Sequence, residues 1–305
     1  MIKLLQLYIP LVGLVLLGLI LGCKLPSHFP TRLGQFLFWV GVPIGVVAFL
    51  RGADLSGGIW IAPVIAWLAI LLGAGWAWLI IKLQASWQGT VPQKPTQGSF
   101  ILAAMVGNTG YLGFPVSLAV VGKQYFAWAL FYDFLGTMLG SYGLGVIIAS
   151  RYGAGVNSPQ ETLKAILINP TLGSFCFGLW FRQVTVSPIV EWCLDKFAWC
   201  AVGLSLGLIG MRLSKLSSWR SLPRAGISLG IKMLLVPLIV GSSLSTFGIT
   251  GKPALVMVLQ MAMPPAFATL VISEAYHLDR DLAVTALAVG CLLLLVTLPV
   301  WLWLF

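Results

Sequence analysis

Residues 101–122 read ILAAMVGNTGYLGFPVSLAVVG, and the fold turns on how this stretch is read. Both flanks are apolar enough to cross a bilayer as helix. The centre, GNTGYLGFP (Gly107 to Pro115), instead holds an asparagine, a threonine, three glycines and a proline. Against lipid every unsatisfied N–H or C=O costs several kcal/mol, so irregular backbone at that depth has to face protein or a polar cavity. A second apolar stretch has the same defect. QMAMPPAFATL (Gln260 to Leu270) places adjacent prolines, Pro264 and Pro265, in mid-run, where each lacks a backbone donor and clashes with the preceding turn.

The rest of the chain supplies the membrane around these two stretches. Of 305 residues 59% are hydrophobic and 9% charged, with a mean hydropathy of +0.99. A soluble domain carries roughly 25% charged residues. Apolar runs recur at 4–22, 34–50, 58–82, 98–121, 125–149, 163–181, 189–211, 224–247, 252–275 and 281–304, each matched to a hydrocarbon core of about 30 Å. The expectation is an all-α polytopic membrane protein of ten transmembrane helices. The N-terminal run, with LILGC ending at Cys23, reads as the first of them rather than as a signal peptide.

The net charge of +10 does not point to nucleic acid, because Lys and Arg fall in short loops between the runs. Placing the N-terminus outside puts eleven of them in inward loops and six outward, leaving Lys232 within a span. The expected location is the plasma (inner) membrane with both termini extracytoplasmic. The five cysteines have no metal-ligand spacing and read as small packing residues. No metal or cofactor is expected. Tryptophans near span ends, among them Trp60, Trp180, Trp219, Trp301 and Trp303, read as interfacial anchors.

Five spans plus five suggests an inverted repeat, residues 1–149 and 163–305, joined by a short cytoplasmic connection at 150–162. Aligning Leu33 with Leu194 matches Phe36 to Phe197, Arg51 to Arg212 and Leu55 to Leu216. An odd number of spans separates the two arginines, as inverted topology requires. The interrupted spans occupy the fourth place of each half, and such paired breaks are a sequence pointer to a transporter's binding site. Half-helix N-termini aimed at one place favour negative charge. The Asn108 amide and Thr109 hydroxyl add donors. The expected ligand is a small organic anion. A proline kink packed against its neighbours, with Asn108 on a nearby carbonyl, is the bland alternative.

The spacing Asn-Thr-x-x-x-Gly-x-Pro (Asn108, Thr109, Gly113, Pro115), with Met263-Pro264-Pro265-Ala266 in the ninth span, resembles the auxin efflux carrier family, which shares a superfamily with bile acid sodium symporters. The resemblance spans essentially the whole chain. It implies two inverted repeats of five helices, with helices 4 and 9 crossing at the midplane and a transport part that moves against a scaffold containing spans 2 and 7. It also implies that Asn108 contacts a substrate carboxylate and that Pro115 and Pro264 break their helices. Substrate-binding candidates are Asn108, Thr109, Gly110, Gly113, Pro115, Met263, Pro264 and Pro265. The long hydrophilic central loop of many plant members is missing, and the compact form resembles bacterial members, some of which carry malate or malonate.

Two charges sit inside spans, Asp133 in ALFYDFLGTML and Lys232 in LGIKMLLVP. Each is unfavourable there by roughly 2.5–3.5 kcal/mol on insertion scales, which makes each a functional candidate. Asp133 is a candidate proton-coupling carboxylate; Lys232 pairs with it, attracts an anion, or snorkels to an interface. Glu274, in SEAYHLDRD, is a candidate gate, in a loop whose His277 and Asp281 have no catalytic company. The composite expectation is a secondary carrier for a small organic anion, coupled to H+ or Na+, with a homodimer as an oligomeric option. The alternatives are a sodium-coupled organic anion symporter and, in another class, an intramembrane receptor or enzyme.

Overall fold

Sequences this apolar satisfy their backbone in lipid by helix formation, and the described residues are helical with short connections. The computed structural model describes residues 2–26, 28–88, 92–153, 170–214 and 221–305. The expected connection at 150–162 and the start of the sixth run, with Lys164, Lys215, Trp219 and Arg220, lie largely or wholly outside them.

The helices among these residues are α1 (Ile2–Lys24), α2 (His28–Arg51), α3 (Ile61–Gln88), α4 (Lys94–Met105), α5 (Thr109–Val121) and α6 (Lys123–Tyr152). They continue as α7 (Pro170–Phe181), α8 (Pro188–Leu213), α9 (Leu222–Phe247), α10 (Gly251–Met261), α11 (Phe267–Ala275) and α12 (Arg280–Leu304). Six of them, α2, α3, α6, α8, α9 and α12, are long and apolar enough to cross a membrane. The fourth and ninth apolar runs are each split, into α4 plus α5 and α10 plus α11.

The first split is shorter and earlier than the sequence suggests. Only Val106, Gly107 and Asn108 leave the helical path, and Thr109–Gly113 resumes as π-helix before α-helix begins at Phe114. Pro115 is therefore not the breaking residue. It lies inside α5, just after the π-helical stretch, and the helix runs on through it. Pro264 and Pro265 do lie in their break, between Met261 and Phe267. Further π-helical stretches occupy Leu37–Gly41 in α2, Asp133–Met138 and Gly140–Gly145 in α6, and Gly230–Leu235 in α9.

The chain forms two compact units, each drawing on both halves of the sequence. Unit one comprises Met1–Gly57, Gly110–Leu130 and Lys164–Leu216. Within it α1 lies tightly along α8: a Cβ on Gly18 would fall 2.0 Å from the Gly207 carbonyl oxygen, and one on Gly210 1.9 Å from that of Val15. Small residues let the backbones approach where lipid offers no hydrophobic drive for association. Arg51 ends α2 and donates to the Phe181 and Val184 carbonyls at 2.7 and 3.0 Å, capping the end of α7. Its bridge to Glu191 is half exposed and adds little.

Unit two comprises Gly58–Thr109, Phe131–Leu163 and Ser217–Phe305. Here α3 packs along the π-helical stretch that begins at Asp133, and the Trp67 indole N–H donates to the Leu135 carbonyl at 3.0 Å. A Cβ on Gly290 of α12 would meet the Pro264 Cβ at 2.7 Å and Leu229 Cδ2 at 2.9 Å, so the proline pair seats against a bare patch of backbone. Trp60, Trp180 and Trp303 are exposed as interfacial anchors should be, whereas Trp301 is buried.

Gly290→Ala should destabilise unit two by about 1–3 kcal/mol, the usual effect of overpacking a filled contact. Gly230→Ala, where an added Cβ meets nothing within 4 Å, should not. Thermal unfolding in detergent compares them, and equal melting of the two variants would contradict the packing described.

Candidate functional site: the paired helix breaks

The two breaks meet inside unit two. Gly107 and Pro265 form an isolated antiparallel bridge. The Asn108 N–H donates to the Pro264 carbonyl at 2.7 Å, and the Ala266 N–H donates to the Val106 carbonyl at 3.0 Å. This register explains how two adjacent prolines are accommodated at membrane depth. An antiparallel pair centred on Pro265 needs only the carbonyl before it and the N–H after it, so neither missing proline donor is called on. Gly107 is required by crowding: a Cβ there would lie 3.0 Å from Lys232 Cε, 3.1 Å from its Nζ and 3.3 Å from the Met263 carbonyl oxygen.

Both intramembrane charges converge on this junction. Lys232 is 3% exposed, and its ammonium donates to the Met261 carbonyl at 2.6 Å. Met261 is the last residue of α10, so its carbonyl has no partner within the helix and lies at the negative end of the dipole. Asp133 accepts a hydrogen bond from the Thr109 hydroxyl, and Thr109 is the first residue of α5. A cation thus serves a helix C-terminus and an anion a helix N-terminus, the favourable sense for each.

Each charged residue also lies in a π-helical stretch, Asp133 at its start and Lys232 within it. Such stretches shift side chains out of α register and recur at functional sites. Of the three arrangements open to Lys232 in the sequence, snorkelling does not occur. The ion pairs within 4.0 Å among the described residues are Arg51–Glu191, Lys123–Asp195 and Arg280–Glu274, so Lys232 and Asp133 do not pair directly.

The geometry changes which donors face a ligand. The backbone amides of Asn108 and Ala266 are engaged in the bridge, and the Thr109 hydroxyl is engaged by Asp133. Asn108 and Thr109 are both buried, as is Met263. Asn108, Thr109, Met263, Pro264 and Pro265 are brought together in unit two with Asp133 and Lys232, whereas Gly110, Gly113 and Pro115 belong to unit one. There Gly110 and Pro115 line an apolar recess with Val46, Phe49, Phe114 and Phe126. Glu274, at the end of α11, is held by Arg280 at 2.6 Å on an exposed surface. Cys291 is buried as a packing residue, but Cys23, Cys176, Cys193 and Cys200 lie on exposed helix surfaces.

A polar clasp went unread in the sequence. Thr96 donates to the Asp279 carboxylate and Ser99 to the Asp279 carbonyl, both at 2.8 Å, and Ser99 and Ser273 share a hydrogen bond of 3.2 Å. Asp279 also caps α12 by accepting from the Leu282 N–H at 3.0 Å, and so ties α4, α11 and α12 together. The Asp279-x-x-Leu282 start before a long apolar run is an N-cap signal that could have disclosed it.

Comparison with known proteins finds the family likeness again. A family model described as "Membrane transport protein" matches residues 156–302, a stretch that includes the second break. An uncharacterized transporter from Methanothermobacter thermautotrophicus is 29% identical over 293 residues, covering 94% of each chain. An uncharacterized transporter from Methanocaldococcus jannaschii is 28% identical over 219 residues, covering 68% of each. The names that these similar proteins carry are those of transporters.

Lys232→Met should leave the Met261 carbonyl buried without its donor and lower stability by about 1–3 kcal/mol. Lys232→Gln, which keeps a donor on a side chain one atom shorter, should recover part of that loss. Thermal unfolding of the pair in detergent decides it. A Met variant as stable as the parent would show that the ammonium does not cap α10.

Proposed function

We propose that the chain is a secondary active transporter for a small organic anion, with a carboxylate as the recognised group. The observation that carries this reading is the reciprocal bridge between the two interrupted runs, Gly107 with Pro265. Two breaks in corresponding places of the sequence meet and satisfy one another while keeping an amide side chain, Asn108, at the junction. A lone packed kink accounts for neither the pairing nor the convergence of Asp133 and Lys232 on it.

The reading extends to ten spans, with 1–149 and 163–305 as inverted repeats of five and α4–α5 crossing α10–α11 near the midplane. Asn108 donates its amide to the substrate carboxylate, and Lys232 supplies positive potential beside it. Transport proceeds by alternating access, in which the part that holds the junction of the two breaks moves against a scaffold containing the second and seventh spans. The coupling ion is H+ or Na+, and Asp133 is the group placed to bind either. Glu274 is assigned a gating role only insofar as its pairing with Arg280 breaks during the cycle. The inner membrane, extracytoplasmic termini and a homodimer complete the proposal.

In proteoliposomes, Asn108→Ala should reduce uptake of malonate, malate or indole-3-acetate at sub-saturating concentration by about tenfold to a hundredfold. That range corresponds to one lost hydrogen bond to a charged group, worth about 1.5–3 kcal/mol. Uptake at the parental rate would remove Asn108 from the site.

A further inference from the structure

We infer that the Thr109–Asp133 pair makes a proton an obligatory co-substrate, with Thr109 as the positioning residue that reports the state of Asp133 to the anion site. The inference rests on the anion-carrier reading above and deepens it by naming the coupling ion and the direction of linkage.

The argument begins with what a hydroxyl can offer. Threonine has one O–H donor and two lone pairs, and an ionised carboxylate accepts only. With Asp133 ionised, the hydrogen bond between them must therefore run from Thr109 to Asp133, and Thr109 turns only lone pairs toward its other neighbours. With Asp133 protonated, the carboxylic acid can donate to Thr109 Oγ1 instead, and the threonine O–H is released to point elsewhere. Thr109 is 1% exposed and adjoins Asn108 in sequence, so the freed donor turns within the same buried junction. Lone pairs repel a bound carboxylate and an O–H attracts it.

Charge acts in the same sense. The junction holds Lys232 against Gly107 and Asp133 against Thr109. Passing from ionised to protonated Asp133 removes one negative charge from the junction, whatever the state of Lys232. A carboxylate arriving beside Asn108 is therefore opposed in the first state and favoured in the second, and low dielectric magnifies the difference. The other groups around Asp133 do not change the count. Tyr132 and Tyr142, on its own helix, are phenols and not carboxylates or amines. On α3, packed against the same stretch, the charged side chain is Lys82, whose ammonium lies over the Trp78 ring at 3.9 Å. From α5 the contact is Thr109 itself.

Asp133 is partly exposed, so it can exchange a proton while Thr109 stays buried. One proton binds an Asp133 oxygen on the side where the anion binds and leaves with the anion on the other, so a monoanion moves without net charge. The linkage is symport, and an acid outer compartment drives uptake. Linked binding is reciprocal: the proton raises anion affinity by the factor by which the anion raises proton affinity.

The test uses purified full-length protein with malonate, malate and indole-3-acetate as probes, following binding and proton uptake together in weakly buffered detergent solution. Parental protein should take up about one proton per anion bound, and its affinity should fall by up to about tenfold per pH unit as pH rises through the titration. Asp133→Asn should bind with no proton uptake and a flat pH profile. Thr109→Val should bind more weakly at acid pH with a shallower profile, and Thr109→Ser should restore the steep one. Where Asp133→Asn does not fold, the Thr109 pair carries the same comparison. Anion binding without proton uptake, uptake that persists in Asp133→Asn, or binding that follows sodium in place of choline would overturn the inference. Failure of all three probes to bind would instead sink the anion-carrier reading, and the proposal with it.

Discussion

Every backbone donor and acceptor at membrane depth needs a partner inside the protein, and the bridge between Val106–Asn108 and Pro264–Ala266 is how this chain meets that demand where its helices stop. The pairing is small, two hydrogen bonds about one glycine and one proline. The arrangement of unit two is nevertheless organised around it. Gly290 leaves room for the prolines, Gly107 leaves room for Lys232, and the end of α10 is closed by the same lysine. Remove the bridge and several polar groups are stranded in a low-dielectric interior, each at a cost of about 1–3 kcal/mol.

This constraint also accounts for two charges inside a membrane protein with so few. A helix interrupted in mid-membrane exposes dipole ends that a continuous helix keeps at the interfaces. Lys232 meets the C-terminal end of α10, and Asp133 holds Thr109 at the N-terminal start of α5. Both therefore have a structural reason to be where they are. The functional reading adds that Asp133 can change charge while the backbone around it stays bonded, which gives a site with two states and one geometry.

Much of this was legible in the sequence, and what was not has identifiable physical causes. The membrane class and the long helices follow from apolar runs whose ends the structure places within a few residues. The two breaks were visible because Gly, Asn and Pro have no business in lipid-facing helix. Pro115 misled, since a proline that a helix accommodates just after a π-helical stretch resembles one that breaks it. The π-helical stretches at Asp133 and Lys232 were hidden: glycine clusters such as Gly140–Gly145 signal close packing and register shift equally well. The partners of Lys232 and Thr109 were hidden too, because a backbone carbonyl and a carboxylate 24 positions away leave no periodic trace. The division into two units, each assembled from both halves of the chain, is likewise a matter of tertiary contact that local pattern does not encode.

The central claim is that the paired breaks form one carboxylate site with Asn108 as its donor. A structure determined with malonate bound tests this most directly. The account predicts a carboxylate within hydrogen-bonding distance of the Asn108 side-chain amide, beside an intact Gly107–Pro265 bridge and a Lys232 still bonded to Met261. Malonate bound elsewhere, with the junction closed and empty of ligand, would contradict it.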